Sequence, residues 1–420
     1  MDPVHVIAAC VFAFLYIWLS YNLLILAFGV RQLKRTSNSE NYSSNCLQPF
    51  FSIIVPVKNE EKVIGRLLDA LLNLNYSRNK FEIIIVEDGS TDATPKICAK
   101  YAEEYPDRIK FIRKKESKGK PSALNFGLKF AKGDIIGVFD ADSVPEPDVL
   151  VKVVEYFEDP SIAAVQGATV PINADENFLT KFITYEQAVF RVQLRGKDEL
   201  NLFVPLTGSC QFIRREILDI VGGFNEDSLA EDVELAAKLT DMGYEIKYAP
   251  QVKAMQEIPS KVGQLFKQRT RWYRGYMEAA IKYGKILKKP SLKSLDVELT
   301  LTEPYVLILC FLGYIMAFYS ILFPSKEYSF NPFLLISQAT LIVSLMLMFI
   351  VGLALIYITK PRRLANILWL PFIYAYWMIE TFIAINAAIQ IMLRRPRKWV
   401  KTNKSGSVVL KSSSSLLMKV

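Results

Sequence analysis

Long stretches without a charged side chain constrain this chain more than any other feature of its sequence. Residues 6–30, 304–325 and 328–359 carry no charge, and residues 365–393 carry one, at Glu380. A helix needs about 20 apolar residues to cross the hydrocarbon core of a bilayer, so each stretch is long enough. We therefore expect membrane segments at residues 4–30, 302–324, 332–359 and 364–393, the last being either a transmembrane span or a re-entrant hairpin.

The charges beside the first segment predict its orientation. A basic cluster follows it, made of Arg31, Lys34 and Arg35. Because cytoplasmic flanks of membrane helices are enriched in lysine and arginine, residues 31–299 are expected in the cytoplasm. The apolar run is too long for a cleaved signal peptide, and no small-residue cleavage site follows it. A retained anchor is the interpretation that this pattern favours.

The rarer residue types and the net charge exclude several classes of site. The chain has a net charge of +9, five cysteines and one histidine, His5. Beside membrane segments, a basic excess is typical of attraction to anionic lipid, so we expect a lipid bilayer and no nucleic acid as a partner. The cysteines lack paired spacing, which argues against a disulfide framework or a zinc site. Since His5 precedes the first segment, any general base in the cytoplasmic part must be a carboxylate, lysine, tyrosine or cysteine.

Between the first two membrane segments, short apolar strands alternate with helices. Strands are predicted at residues 51–57, 81–86, 109–113 and 135–139, with helices at 62–72, 94–105 and 122–131. This alternation is typical of an α/β domain with a mostly parallel sheet and flanking helices. The expected organisation is a polar linker at 31–49, this domain at 50–255, amphipathic interfacial helices at 256–299 and a basic tail at 394–420.

Acidic residues follow two of these strands, at the sheet edge where α/β proteins bind ligands. Asp88 lies in the sequence Glu-Asp-Gly-Ser-Thr-Asp, which either contacts a ribose or base or forms an ordinary turn and helix cap. Asp140 and Asp142 lie two residues apart, so in extended chain both carboxylates point to one side. Such a pair fits a hard cation, Mg²⁺ or Mn²⁺, that bridges to a diphosphate. The alternative is an acidic loop that faces water.

Two further polar motifs lie nearer the second membrane segment. Glu231 and Asp232 open a helical pattern, where acidic residues also occur simply because they favour helix N-termini. Gln268, Arg271 and Trp272 belong to the sequence Gln-Arg-Thr-Arg-Trp, which suits phosphate binding and sugar stacking. The alternative for this second motif is a membrane-surface helix with a basic face.

Seven short motifs, taken in order, make the chain similar to a known enzyme family. VPVKNEE, VEDGSTD, GKPSALN, DAD, TGS, ED and QRTRW resemble the processive branch of the family 2 glycosyltransferases, which contains the cellulose, hyaluronan, chitin and poly-N-acetylglucosamine synthases. The resemblance spans residues 51–272 and the membrane segments after them. It implies a GT-A-like catalytic domain that faces the cytoplasm, in a multi-pass protein of the cell membrane.

The resemblance also implies roles for individual residues. Asp232 looks like the general base. The nucleotide-sugar donor would be bound by Asp88, Lys120, Asp140, Gln268, Arg271 and Trp272, and the metal, Mg²⁺ or Mn²⁺, by Asp140 and Asp142. The acceptor would be bound by Thr207, Gly208, Ser209, Glu231 and Trp272. Two positions depart from the family pattern, because Glu87 stands in place of an aspartate and Ala230 in place of a threonine.

The implied reaction is a single displacement that inverts the anomeric carbon. A hexose or N-acetylhexosamine from a UDP-sugar, such as UDP-N-acetylglucosamine or UDP-glucose, would join a growing polysaccharide in β-linkage. Two alternatives stay open. One is a single transfer to a polyprenyl-phosphate or lipid-linked acceptor, and the other is a catalytically silent nucleotide-sugar binder. The intact Asp140/Asp142 and Glu231/Asp232 pairs argue against the silent binder.

The basic tail conflicts with a simple topology of four crossings. Four spans would place the tail outside, yet cytoplasmic flanks are the ones enriched in lysine and arginine. Glu380 interrupts the last apolar stretch, which fits a re-entrant hairpin. We therefore expect a cytoplasmic tail on the strength of its basic cluster, which comprises Arg394, Arg395, Arg397, Lys398, Lys401 and Lys404.

Overall fold

The computed structural model describes most of the chain between its termini. The described residues are 3–35, 48–283, 290–323, 370–397, 401–402 and 404–406, with isolated positions between 338 and 368. Most of the predicted linker, most of the predicted span at 332–359 and most of the tail beyond residue 397 lie outside the described residues. The architecture below refers to the described part.

A single sheet forms the centre of residues 51–256. Its eight strands run in the spatial order β3-β2-β1-β4-β7-β6-β8-β5. They are β1 Phe51–Val57, β2 Phe81–Glu87, β3 Ile109–Arg113, β4 Ile135–Val138, β5 Val144–Pro145, β6 Ile162–Pro171, β7 Gln211–Arg214 and β8 Glu245–Gln256. The predicted strands at residues 51–57 and 109–113 are confirmed with the same bounds, and the other two differ by one residue.

The sheet is mixed, which corrects the prediction of a mostly parallel one. Strands β1 to β4 pair in parallel, and so do β6 and β8. Strand β7 enters between β4 and β6 and is antiparallel to both, with Ile213 opposite Ile136 and Ala164. The short β5 is antiparallel to β8. The parallel prediction therefore holds for β1 to β4 and for the β6–β8 pair, and it is wrong for β7 and β5.

Twelve α-helices are defined among the described residues. They are α1 Pro3–Arg35, α2 Ile64–Leu72, α3 Thr94–Glu104, α4 Lys120–Leu128, α5 Val149–Val154, α6 Phe178–Glu199, α7 Arg215–Val221, α8 Glu231–Asp241, α9 Val262–Tyr283, α10 Leu292–Leu301, α11 Glu303–Leu322 and α12 Leu370–Met392. The predicted helix at 122–131 begins two residues earlier, because Pro121 fits the first turn of a helix. Lys120 consequently lies at the N-terminus of α4.

Alternation along the strands builds two hydrophobic cores, one on each face of the sheet. Neighbouring residues of a strand point to opposite faces, so Ile54 packs in one core while Ile53 and Val55 pack in the other. Helix α2 buries a stripe of side chains spaced for one helical face, Ile64, Leu67, Leu68 and Leu71. Helices α2, α3 and α5 cover one face, and α4, α7 and α8 cover the other.

Two helices of the described residues contain segments that are long and apolar enough to cross a bilayer, Ala13–Leu33 in α1 and Pro371–Met392 in α12. Within α11 the segment Glu303–Ile315 is apolar but shorter. Helix α12 is continuous from Leu370 to Met392, so no reversal of the chain occurs at Glu380. Helix α1 continues to Arg35 without a break, and the segment expected as a linker therefore begins after that residue.

Helix α1 lies directly against α6, which follows β6 of the sheet. A methyl group on Gly29 would collide with the Val192 carbonyl oxygen, and one on Gly196 would collide with the Ile25 carbonyl oxygen. Small residues allow two helix backbones to approach this closely, as in membrane helix pairs. The apolar N-terminal helix and the part that contains the sheet are therefore packed together and not joined only by the chain between them.

Candidate active site

The carboxyl edge of the parallel strands gathers most of the predicted site residues. Strands β2 and β4 both pair with β1, so Asp88 after β2 and the Asp140–Asp142 segment after β4 lie on either side of it. A cavity of about 630 Å³ opens at this edge. Ten predicted residues line it: Asp88, Lys120, Asp140, Asp142, Thr207, Glu231, Asp232, Gln268, Arg271 and Trp272.

The Lys120 ammonium group joins four of the sequence motifs at one point. Its Nζ lies 2.7 Å from Asp140 Oδ1 and 3.7 Å from Glu231 Oε1. It also donates to the Gly208 carbonyl oxygen at 2.7 Å. Burial alone would lower the pKa of Lys120, but the surrounding carboxylates of Asp140, Glu231 and Asp232 hold it above its usual value. The ammonium group stays charged at neutral pH as a result.

The two carboxylates of the Asp140–Asp142 pair converge, as their spacing predicts. The side-chain amide Nε2 of Gln256 donates to Asp140 Oδ2 at 3.0 Å and to Asp142 Oδ1 at 3.4 Å. Carboxylate oxygens are the ligands that Mg²⁺ and Mn²⁺ prefer, so this donor set fits a hard divalent cation. Among the residues that the structure describes, no cluster of three or more carboxylate, histidine or cysteine side chains completes a protein-only cage. Phosphate oxygens of a donor, together with water, would complete the coordination.

Asp88 organises the loop that presents Lys120. Its carboxylate accepts hydrogen bonds from Ser117 Oγ at 2.8 Å and from Gly119 N at 3.0 Å, and it pairs with Lys114 Nζ at 3.0 Å. The preceding Glu87 has no exposed surface and pairs with Arg113 across β2 and β3 at 3.0 Å. Glu87 therefore stabilises the turn and the strand pair, which explains why the longer acid is accommodated there.

Asp232 lies in the first turn of α8 beside Glu231. Burial and, after it, the Glu231 carboxylate raise the pKa of Asp232 to about 7, against the opposing effects of Lys120 and Arg271. A carboxylate with such a pKa is suited to accept a proton near neutral pH. Ala230, at the position of the family's threonine, is buried and packs directly against Gly275 of α9.

The segment 207–209, just before β7, lies beside Lys120 and Asp232, and its three residues have different environments. Gly208 has a φ of +80°, and a Cβ there would lie 2.8 Å from Asp232 Oδ2 and 2.9 Å from Lys120 Nζ. Thr207 lines the cavity. Ser209 does not: it is fully buried, and its hydroxyl accepts from Asp140 N at 3.1 Å. The structure thus gives Ser209 a positioning role under the Asp140 turn and not direct access to an acceptor.

Helix α9 places the Gln-Arg-Thr-Arg-Trp residues along one wall of the cavity. Arg271 donates from Nη1 to the Leu229 carbonyl oxygen at 2.9 Å, which ties α9 to the start of α8. Trp272 faces the cavity, and the Arg269 guanidinium lies over its ring at 4.8 Å from the centroid. Gln268 lines the same wall.

Several residues of the site were not predicted. Gln256, at the end of β8, bridges the two aspartates as described above. Lys404 of the tail lies 2.7 Å from Asp142 Oδ2 and donates to the Glu257 carbonyl oxygen at 2.7 Å. Lys401 pairs with Glu60 at 3.0 Å. The basic cluster of the tail was interpreted as a sign of topology, and neither Lys401 nor Lys404 was predicted as a site residue.

Comparison with known proteins decides the family. Residues 52–222 match the family described as "Glycosyl transferase family 2". The poly-β-1,6-N-acetyl-D-glucosamine synthase of Staphylococcus epidermidis is 30% identical over 348 residues, which cover 81% of this chain and 82% of that protein. The chain belongs to glycosyl transferase family 2. This family 2 glycosyltransferase is also 35% identical over 264 residues, 62% of its length, to the β-monoglucosyldiacylglycerol synthase of Nostoc sp..

The region of sequence similarity covers only part of the length of several relatives. This family 2 glycosyltransferase spans 49–66% of the length of four curated relatives, three of them β-monoglucosyldiacylglycerol synthases. Its fold is similar to that of a mannosyltransferase from Pyrobaculum calidifontis solved with GDP-mannose and Mn²⁺. That likeness has a TM-score of 0.62 at 22% identity and covers 92% of this chain and 99% of the other. The fold is therefore a GT-A-like mixed sheet with flanking helices.

Proposed function

We propose that this glycosyltransferase is a metal-dependent, inverting enzyme of the cell membrane that transfers a hexose or N-acetylhexosamine from a UDP-sugar to a growing polysaccharide. The observation that carries the proposal is the position of Lys120, which contacts Asp140 and the Gly208 carbonyl oxygen and lies within 3.7 Å of Glu231. One buried cation thereby links the diphosphate side of the cavity to the helix that carries the general base. If the Asp88 motif were only a turn and the Asp140–Asp142 motif only an acidic loop facing water, no buried cation would be needed between them and the Glu231 helix.

The proton leaves the acceptor through Asp232. Its carboxylate, with a pKa raised to about 7 by burial, takes the proton from the acceptor hydroxyl as the hydroxyl oxygen attacks the anomeric carbon. The bond to the nucleoside diphosphate breaks on the opposite side, so one displacement inverts the configuration. An α-linked donor then gives a β-linked product, and no covalent intermediate with the protein is required.

Positive groups on the donor side stabilise the leaving diphosphate. Lys120 and Arg271 both line the cavity and bring fixed positive charge to the position where negative charge develops. A divalent cation held by Asp140 and Asp142 would supply further positive charge to the same oxygens. Asp88 holds the loop before Lys120 in place, and its side chain lines the cavity where the nucleoside would enter.

The membrane placement rests on α1 and α12 and on the basic flanks. Helices α1 and α12 supply segments of bilayer-spanning length, and basic residues follow the first. Lys401 and Lys404 of the tail contact Glu60 and Asp142 of the part that contains the sheet, and we therefore propose that the tail and this part lie on the same side of the membrane. The positive-inside rule puts that side in the cytoplasm, where nucleotide-sugars are available.

A second candidate is a single transfer to a lipid-linked acceptor. The cavity continues from the aspartates to apolar side chains of α1, α11 and α12, such as Leu19, Leu307 and Trp377. An apolar groove beside membrane helices suits an acyl or prenyl chain. The similarity to β-monoglucosyldiacylglycerol synthases supports the same reading.

The test is turnover of nucleotide-sugars by the full chain purified in detergent. UDP- and GDP-sugars are supplied separately, and released nucleoside diphosphate and product length are measured with and without EDTA. We expect a UDP-sugar to be used, polymer to form, and activity to disappear with EDTA and return with Mn²⁺ or Mg²⁺. Products that stop at one sugar would favour the lipid-linked acceptor, and turnover unaffected by chelation would refute the metal role.

A further inference from the structure

A buried cluster of charged and phenolic side chains lies in the same cavity, on the side toward α12. Glu186 of α6, Arg269 of α9 and Glu380 of α12 line it together with Tyr273 and Tyr376. Arg269 Nη2 donates to Glu186 Oε2, which also accepts from Tyr376 OH at 2.9 Å. Tyr273 OH donates to Glu380 Oε2 at 2.6 Å. Three helices therefore contribute to one polar site beside apolar walls.

One donor and one acceptor in this cluster lack hydrogen-bond partners among the residues that the structure describes. Glu380 is only 2% exposed, and within the described part of the chain neither its Oε1 nor the buried Nε of Arg269 has a hydrogen bond. The two atoms lie 3.9 Å apart, too far for a direct hydrogen bond. Buried polar atoms without partners are uncommon in proteins, and a carboxylate in a helix of membrane-spanning character is costly unless it has a function.

A hydroxyl group of a ligand could form the hydrogen bonds that Glu380 Oε1 and Arg269 Nε lack. It can donate to Glu380 Oε1 and accept from Arg269 Nε at the same time, because a hydroxyl oxygen is donor and acceptor. A phosphate oxygen could accept from Arg269 but would have no hydrogen to donate to Glu380. Because one atom requires a donor and the other an acceptor, the pair favours a neutral hydroxyl over an anion as its ligand.

The charge balance of the cluster points the same way. Glu186 and Glu380 flank the single guanidinium of Arg269, and Glu303 lines the same cavity. Arg191 of α6, which also lines the cavity, donates to the Thr169 carbonyl oxygen of β6. An anionic group would therefore meet a guanidinium that is already paired with Glu186 and lies 3.9 Å from Glu380.

We propose that Glu186, Arg269 and Glu380 bind the terminal group of the acceptor, and that this group is uncharged and carries hydroxyls, as a sugar ring does, in place of a phosphate. The inference rests on the proposed glycosyltransferase function and specifies its acceptor. The hydroxyl-bearing group can belong to a glycan end or to a neutral glycolipid, since both present the same chemistry to the cluster. Polyprenyl phosphate is the acceptor that the cluster disfavours.

The experiment compares three acceptors with the full chain in lipid nanodiscs. They are a short N-acetylglucosamine oligomer, monoglucosyldiacylglycerol and undecaprenyl phosphate, each with the UDP-sugar that the enzyme uses. We expect transfer to one or both neutral acceptors, and their relative rates identify the source of the hydroxyl. In Glu380→Gln the acceptor KM should rise about 10- to 100-fold, the loss typical of a hydrogen bond to a charged group. Preferred transfer to undecaprenyl phosphate by the wild type would overturn the inference.

A matched control variant and a variant with an expected gain of function distinguish loss of acceptor binding from misfolding. Asp296→Asn removes another buried carboxylate, paired with Lys197 at 2.9 Å outside this cavity, and should leave the acceptor KM unchanged. The double variant Glu186→Gln/Glu380→Gln leaves Arg269 as unopposed positive charge at that position, so its use of undecaprenyl phosphate relative to the neutral acceptors should increase about tenfold or more.

The outcomes separate the inference from the proposed function. If the wild type turns over no nucleotide-sugar, the proposed function fails, and the inference with it. If the wild type transfers normally but Glu380→Gln has an unchanged acceptor KM, and the double variant gains nothing, the gap between Glu380 and Arg269 binds only water. The inference then fails alone.

Discussion

Asp232 sets the pH response expected of the enzyme, because only its ionised form can accept a proton. Burial and Glu231 raise its pKa to about 7, so the ionised fraction grows as pH rises through 7. With other steps constant, the transfer rate should increase about tenfold between pH 6 and pH 8 and then level off. Initial rates at saturating donor, acceptor and metal measure this. A rate that is flat or falls over this range would contradict the assignment.

The substitution Asp232→Asn checks the same residue without changing pH. The amide fills the same space but cannot take the proton, so transfer should fall about 100-fold or more while UDP-sugar still binds. Asp227→Asn is the matched control, because Asp227 is exposed in the loop before α8 and should tolerate the change. An Asp232→Asn enzyme with more than about a tenth of the wild-type rate would remove Asp232 from the base role.

Gly208 should be irreplaceable for activity, whereas Gly222 should not. Both have a φ of +80°, so alanine strains the backbone equally at each, by roughly 1 kcal/mol. Only at Gly208 would the added methyl group also press on Asp232 and Lys120, since nothing lies within 4 Å at Gly222. We expect similar thermal stabilities and a kcat for Gly208→Ala at least about tenfold below that of Gly222→Ala. Equal kcat values would show that the contact is not needed.

Sequence alone predicted the residues whose role follows from local spacing, and missed those that depend on distant packing. The convergence of Asp140 and Asp142 follows from a two-residue spacing on extended chain. Ser209 lies within the same motif as Gly208, yet its hydroxyl turns inward to the Asp140 backbone. The partnership of Arg269 with Glu380 joins positions 111 residues apart, and no local pattern contains it. A lone carboxylate in an apolar stretch was the available signal, and it was interpreted as an interruption.

At the scale of elements, α9 brings two functions to adjacent positions. Arg271 reaches the start of α8, and Trp272 faces the cavity. Trp272→Ala should therefore shorten the products more than it slows donor hydrolysis, because stacking holds the acceptor between additions. Arg271→Ala should depress hydrolysis and transfer alike, since both need the leaving group stabilised. Measuring UDP release without acceptor and the length of the polymer product in each variant distinguishes the two effects. Equal loss of both activities in the two variants would make Trp272 a packing residue.

The strands and helices near the N-terminal half of the sheet were predictable because each carries its own pattern. Buried strands such as Phe51–Val57 are continuous apolar runs, and α2 has helical spacing. Strand β7, Gln211–Arg214, is only four residues long and begins with a buried glutamine. Its direction is fixed by pairing with β4 and β6, which is tertiary information. The mixed character of the sheet was for that reason not available from the sequence.

At the scale of the whole molecule, the tail reaches back to Asp140 and Asp142, the proposed metal ligands. Asp142 keeps the pKa of Lys404 above its usual value although burial would lower it, so a charged ammonium occupies Asp142 Oδ2. A divalent cation must displace it. Lys404→Met should therefore lower the Mn²⁺ concentration for half-maximal activity by about three- to tenfold. Lys401→Met, which removes a contact to Glu60 and not to Asp142, serves as control. An unchanged Mn²⁺ requirement in Lys404→Met would show that the two do not compete.

The backbone contact of α1 with α6 has a consequence for where the reaction takes place. Ile25 and Gly29 both fall inside the segment Ala13–Leu33, so a bilayer built around that segment extends to the level of α6. Glu186 lies six residues before Val192 on the same helix, roughly 9 Å along its axis. The distance from the lipid surface to the cluster of Glu186, Arg269 and Glu380 is then set by the packing of α1 on α6. It does not depend on the length of the polar chain that joins α1 to β1. Under the proposed function, an acceptor must therefore reach that height above the lipid to be used.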